Sequence, residues 1–144
     1  MADKPNLEFV FFDIGGTLAE FDQSANKLVP FPSSVGLLKA MKDLGVRIGI
    51  ITTLGTQLTK QQGLDLLHQA GLDNLVDPLG FISDKDLNIA KPHIGIYRFA
   101  AERVGVPIDK CLFVGENLIE VIGAIAAGMK AVLKPCPPGR DLPG

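Results

Sequence analysis

The chain has 144 residues, 47% of them apolar and 21% charged, with a formal net charge of −2. That length closes one hydrophobic core and leaves little for a second, and the balance is too apolar for a disordered chain. Without a run of like charges there is no electrostatic footprint for nucleic acid or an anionic membrane, and the apolar runs at 9–12 and 46–51 are far too short to cross a bilayer.

Residues 7–12 form a short apolar run that ends at Asp13 and the pair Gly15-Gly16, the pattern of a buried strand entering a tight turn. Residues 19–32 read as irregular. Ser33 or Ser34 is placed to cap a helix carrying Leu37, Leu38, Met41 and Leu44 at helical spacing, with Gly45 as its stop. The β-branched run 46–51 is a second strand, closed by Thr52-Thr53. A helix is expected over 57–70, stopped by Gly71, and Phe81-Ile82 makes a very short third strand. Pro92 stands at a helix start ahead of Ile96, Phe99, Ala100 and Val104, with Gly105 as the end. A strand at 112–114, a helix at 118–127 stopped by Gly128, and a strand at 131–133 complete the pattern.

Short apolar strands alternating with amphipathic helices define an α/β protein: a Rossmann-like three-layer α/β/α sandwich around a mostly parallel sheet, with ligands bound beyond the carboxyl ends of the strands. Residues 1–134 are read as one domain. Residues 135–144, rich in Pro and Gly, are read as a tail, either a mobile end or a linker. The acidic start lacks a signal-peptide pattern, so a cytoplasmic location is expected. Cys111 in an apolar run and Cys136 in the tail lack the spacing of a zinc site or disulfide framework and read as one buried and one exposed thiol.

Strand ends gather polar groups in such a fold: Asp13 after the first strand, Thr52 after the second, Lys91 before the third helix and Glu116 after the fourth strand. The carboxylates suit a hard divalent cation, and Lys91 suits a dianion that the cation leaves partly uncompensated. Main-chain N–H groups around Gly15 and Gly16 are candidates for an anion cradle, since glycine permits positive φ. His68 and His93 read as surface residues, and Asp84 and Asp86 as solvated loop charges.

Four segments in this order, FFDIGGTL, IGIITT, AKPHIGIY and FVGENLIEVIGAIAAGM, resemble the motifs of the haloacid-dehalogenase superfamily over nearly the whole chain. The resemblance implies that Asp13 is a nucleophile forming an aspartyl-phosphate and that Thr52 and Lys91 hold the transferring oxygens, with Thr53, Gly15 and Gly16 contributing to substrate binding. It also implies that Mg²⁺ is held by Asp13, the main-chain carbonyl near Gly15, and Glu116, and that Glu120 matches the later acid of the fourth motif. The implied partner is a phosphorylated substrate, small or macromolecular, with no nucleic acid or membrane, in an open site without a cap domain. Gly15 stands where phosphatases of the family place an acid–base Asp, so unactivated esters are expected to react slowly. Glu116 stands where an Asp is usual. A catalytically silent binding or scaffold domain shares the fold and is the alternative; a metal-free carbon–halogen or carbon–phosphorus hydrolase, which accounts for Gly15 but lacks the cap groups such members use, is a third reading.

Overall fold

The computed structural model describes residues 7–134, so the start of the chain, the expected tail at 135–144 and Cys136 lie outside the described residues. The run of apolar residues in β1 (Phe9–Phe12) reflects burial on both faces. This strand is the centre of a parallel five-stranded sheet with β4 (Arg47–Thr52), β5 (Phe81–Ser83), β6 (Cys111–Gly115) and β7 (Lys130–Leu133), in the order β5-β4-β1-β6-β7.

Alternate residues of β1 serve two cores. Phe9 and Phe11 join Ile51, Ile82 and Phe113 beneath α4 (Ile94–Val104) and α5 (Leu118–Ala127). Val10 and Phe12 join Ile48 and Ile50 beneath α1 (Pro32–Asp43) and α2 (Lys60–Gln69). The result is the expected three-layer α/β/α arrangement. Cys111 is buried, and desolvation pushes its thiol up to about 11.

Residues 19–32 are more ordered than the sequence reading allowed. They hold an antiparallel hairpin, β2 (Ala19–Asp22) and β3 (Lys27–Pro30). Asp22 Oδ1 accepts hydrogen bonds from Ser24 N–H, Ser24 Oγ–H and Ala25 N–H, fixing the turn, and these bonds, Ser24's hydroxyl first, hold its carboxyl below the usual range. The interval between Thr52 and Lys91 contains the expected helix and the expected very short strand, β5, and adds a 3₁₀ turn (Asp73–Leu75) and a short α3 (Asp84–Leu87).

Three helix starts differ from expectation, each for a local reason. α1 has Phe31 at its N-cap and Pro32 in its first turn, while Ser34 is buried and its Oγ donates to the Thr17 carbonyl. α2 begins at Lys60 rather than 57, because Thr59 and Gln62 form a reciprocal capping box. α4 begins at Ile94 rather than Pro92, with His93 Nδ1 accepting from Gly95 N–H at 2.9 Å. His68 sits on the surface beside Asp73 at 2.7 Å, whose hydrogen bond raises the imidazole above its ordinary value. Among the described residues, no helix is long and apolar enough to cross a membrane.

Candidate active site

From β1 the chain builds the sheet outward through β4 and β5, then crosses back to add β6 and β7 on the other side. The crevice at such a reversal opens at the carboxyl ends of β1 and β6. Asp13 is the first residue past β1, tied to β6 by its N–H donating to Val114 O at 3.0 Å. Continuing the register from Phe12 beside Ile50 and Val114 puts Thr52 and Glu116 one residue beyond Asp13 on either side.

The closest contacts in the crevice involve Lys91, whose side chain is 2% exposed. Its Nζ donates to Asp13 Oδ1 at 2.8 Å, stands 2.7 Å from Glu120 Oε1, and lies 5.4 Å from the centroid of the Phe113 ring. The Glu120 contact is a charge contact without hydrogen-bond alignment. Asp13 Oδ1 also accepts from Ile14 N–H at 2.9 Å, whereas no hydrogen bond from the described residues reaches its other oxygen. Glu120 is in the first turn of α5, and its main-chain carbonyl accepts from the buried Tyr97 hydroxyl at 2.6 Å. Burial, then the charges of Glu120 and Asp13, push the Tyr97 phenol well above its ordinary range, which keeps it a neutral donor.

Lys91 reaches this position because α5 has no side chain at Gly123. A Cβ there would stand 2.5 Å from the Pro92 carbonyl oxygen, a backbone atom with no rotamer by which to retreat. Gly123→Ala is therefore expected to push the Lys91-Pro92 segment off the helix, costing about 1–3 kcal/mol despite alanine's better helix propensity. Thermal denaturation checks this, since a midpoint equal to or above wild type would contradict the packing argument.

The glycine turn differs in part from expectation. Gly16 has φ +74°, but its N–H donates to the Ala19 carbonyl, so it does not face an anion; Gly15 has no positive φ, and a Cβ on it meets nothing within 4 Å. A Cβ on Gly16 would stand 2.0 Å from Glu116 Oε1, so the Glu116 carboxylate lies directly against this turn. Thr52 is buried at the end of β4, whereas Thr53 is exposed. Asp84 and Asp86 are not merely solvated: Asp84 accepts from the N–H groups of Leu54 and Gly55 at 2.8 and 3.1 Å and fixes the loop beyond Thr52, and Asp86 caps α3 at Ser83 N–H. Asn117 caps α5, accepting from Ile119 and Glu120 N–H.

Sequence reasoning missed Tyr97, the bridging place of Glu120, and Lys134. Lys134 follows β7, donates from Nζ to the Thr17 carbonyl, and lies over the Phe31 ring at 5.0 Å, bringing a second ammonium to the loop that Glu116 touches. Its position at a strand end was the available signal.

A parallel sheet that presents a lysine-bound carboxylate at its switch point has the ligand-site geometry of an open α/β protein, and the comparisons with known proteins specify the family. The family described as haloacid dehalogenase-like hydrolase matches residues 21–128, and the chain belongs to it. Haloacetate dehalogenase H-2 of Moraxella sp. (strain B) is 29% identical over 113 residues, covering 78% of this chain and 48% of that protein. A glyceraldehyde 3-phosphate phosphatase of Methanothermobacter thermautotrophicus is 30% identical over 107 residues, covering 74% and 45%. The chain thus spans about half the length of these curated relatives. A crystal structure of a dehalogenase with an intermediate complex superposes with a TM-score of 0.77 at 18% identity, covering 90% of this chain and 85% of that one, a likeness of fold.

Proposed function

We propose that the chain is a phosphoryl-transfer hydrolase with Asp13 as nucleophile. The observation carrying this reading is the asymmetry of the Asp13 carboxylate: Oδ1 is held by Lys91 and Ile14 N–H, which leaves Oδ2 to meet a substrate. In the first step Oδ2 attacks phosphorus and the bond to the leaving group breaks, giving an aspartyl-phosphate. In the second, water attacks phosphorus, the bond to Asp13 breaks, and inorganic phosphate leaves with the carboxylate restored. Lys91 offsets the charge of Asp13 and the incoming dianion, and the Thr52 hydroxyl at the end of β4 and the Gly15 N–H in the turn after β1 are the donors assigned to the transferring oxygens.

The donor set suits Mg²⁺. Asp13, Glu116 and the Gly15 carbonyl are all oxygen donors, the hard ligands that Mg²⁺ takes, and the Glu116 carboxylate lies against the turn that carries the Gly15 carbonyl. When bound, Mg²⁺ supplies neutralisation of the phosphoryl oxygens.

A second reading is favoured by Gly15. A halide leaves without a proton, so carbon–halogen hydrolysis needs no acid at position 15. Oδ2 would attack carbon, halide would leave with the bonding pair, and water would hydrolyse the ester. The dehalogenase relative agrees with this.

One assay set separates the readings: phosphate release from 4-nitrophenyl phosphate and halide release from chloroacetate, for wild type and Asp13→Asn, with and without Mg²⁺. The expected result is Mg²⁺-dependent phosphate release that vanishes in Asp13→Asn. Halide release that needs Asp13 and ignores Mg²⁺ would select the second reading. Identical background rates in both proteins would reject both and leave a binding domain.

A further inference from the structure

Helix α5 has the sequence LIEVIGAIAA, and its charged residue, Glu120, turns towards Lys91. Val121, Gly123, Ala124 and Ala127 face the sheet. At about 100° per residue, Leu118, Ile122 and Ile125 fall within about 60° of one another, with Ile119 beside them, on the side away from the buried residues. Those four are exposed by 56, 54, 56 and 66%, respectively. Isolated exposed aliphatics are ordinary, but a helix apolar on both sides is the pattern of one covered on both.

We infer that this face is the centre of a homodimer interface in which a second copy of the chain lays its own α5 against it. Area is the first argument. Four large aliphatic residues about half exposed present on the order of 400 Å² per copy, the apolar centre expected of an interface that buries about 800 Å² on each side with a polar rim. Chemistry is the second. The stripe carries no charged or hydrogen-bonding side chain by which a foreign partner would be selected and oriented. A two-fold contact requires that a surface complement itself, and an uncharged aliphatic stripe does so without opposing like charges. The exposed Val132 on β7 belongs to a different surface: it pairs with Val114, which packs on the core under α1 and α2.

Sedimentation velocity of the chain over roughly 1–100 µM tests the inference. The expected wild-type species has twice the 15.4 kDa chain mass. Ile122→Glu and, separately, Ile125→Lys should each weaken association by at least ~100-fold, because each places two uncompensated charges in the apolar centre. Circular dichroism and thermal midpoint report whether the variants stay folded, and Val132→Glu is the control that should leave the dimer intact. A wild type that remains monomeric throughout overturns the inference. So does a dimer that survives in both α5 variants, or one that Val132→Glu disrupts equally.

Discussion

Lys91→Met is expected to lower stability by about 2–3 kcal/mol and the thermal midpoint by roughly 6–12 °C. Removing one partner of a buried ion pair typically costs about 3–5 kcal/mol, because the remaining charge is left in a poorly solvated place. Here the lysine side chain is 2% exposed but Asp13 and Glu120 keep 16 and 21% exposure, so water compensates part of the loss. Methionine preserves most of the volume and the contact with Phe113, which isolates the charge. Two carboxylates then face each other without a cation, so Glu120→Gln added to Lys91→Met should recover part of the loss. Equal midpoints for wild type and Lys91→Met would show that Lys91 is not the electrostatic centre of the crevice. The same substitution should abolish Asp13-dependent turnover, because the nucleophile loses the donor that fixes Oδ1.

Gly15→Asp is expected to raise hydrolysis of unactivated alkyl phosphates by ~10²-fold or more, within the usual range for general acid–base catalysis. The structure permits the substitution: residue 15 has no positive φ, and its Cβ would meet no atom within 4 Å. An alkoxide leaves poorly without a proton and a nitrophenolate leaves well, so the gain on aryl phosphates should be much smaller. Gly15→Asn, which has the same shape and no acid, should leave both rates near wild type. Equal gains from Asp and Asn would trace the effect to the loop rather than to proton transfer, and no gain on any phosphate would weigh against the phosphatase reading.

Both predictions depend on contacts between residues far apart in the chain, and that separation marks how far the sequence could be read. The strands at 9–12, 47–52 and 111–115 were legible because a parallel sheet covered on both faces demands nearly continuous apolar runs. The hairpin at 19–30 was not: its strands are four residues each, mixed in polarity, and joined by a turn whose order comes from the Asp22 side chain. The starts of α2 and α4 shifted by a few residues because capping partners, not periodicity, set them, whereas Pro32 marks the start of α1, which has no side-chain cap.

Strand ends placed Asp13, Thr52 and Glu116 at one edge, since a parallel sheet collects there whatever follows its strands. Chain order alone therefore determined the α/β class, the family motifs and the edge at which their polar residues gather. The meeting of Lys91 with both Asp13 and Glu120, the closeness of Pro92 to Gly123, the return of Lys134 to Thr17 and the outward stripe of α5 were decided only by tertiary packing. Local sequence sets backbone preference and burial period, but which side chains share a charge depends on how helices and loops remote in sequence are laid over the same sheet edge.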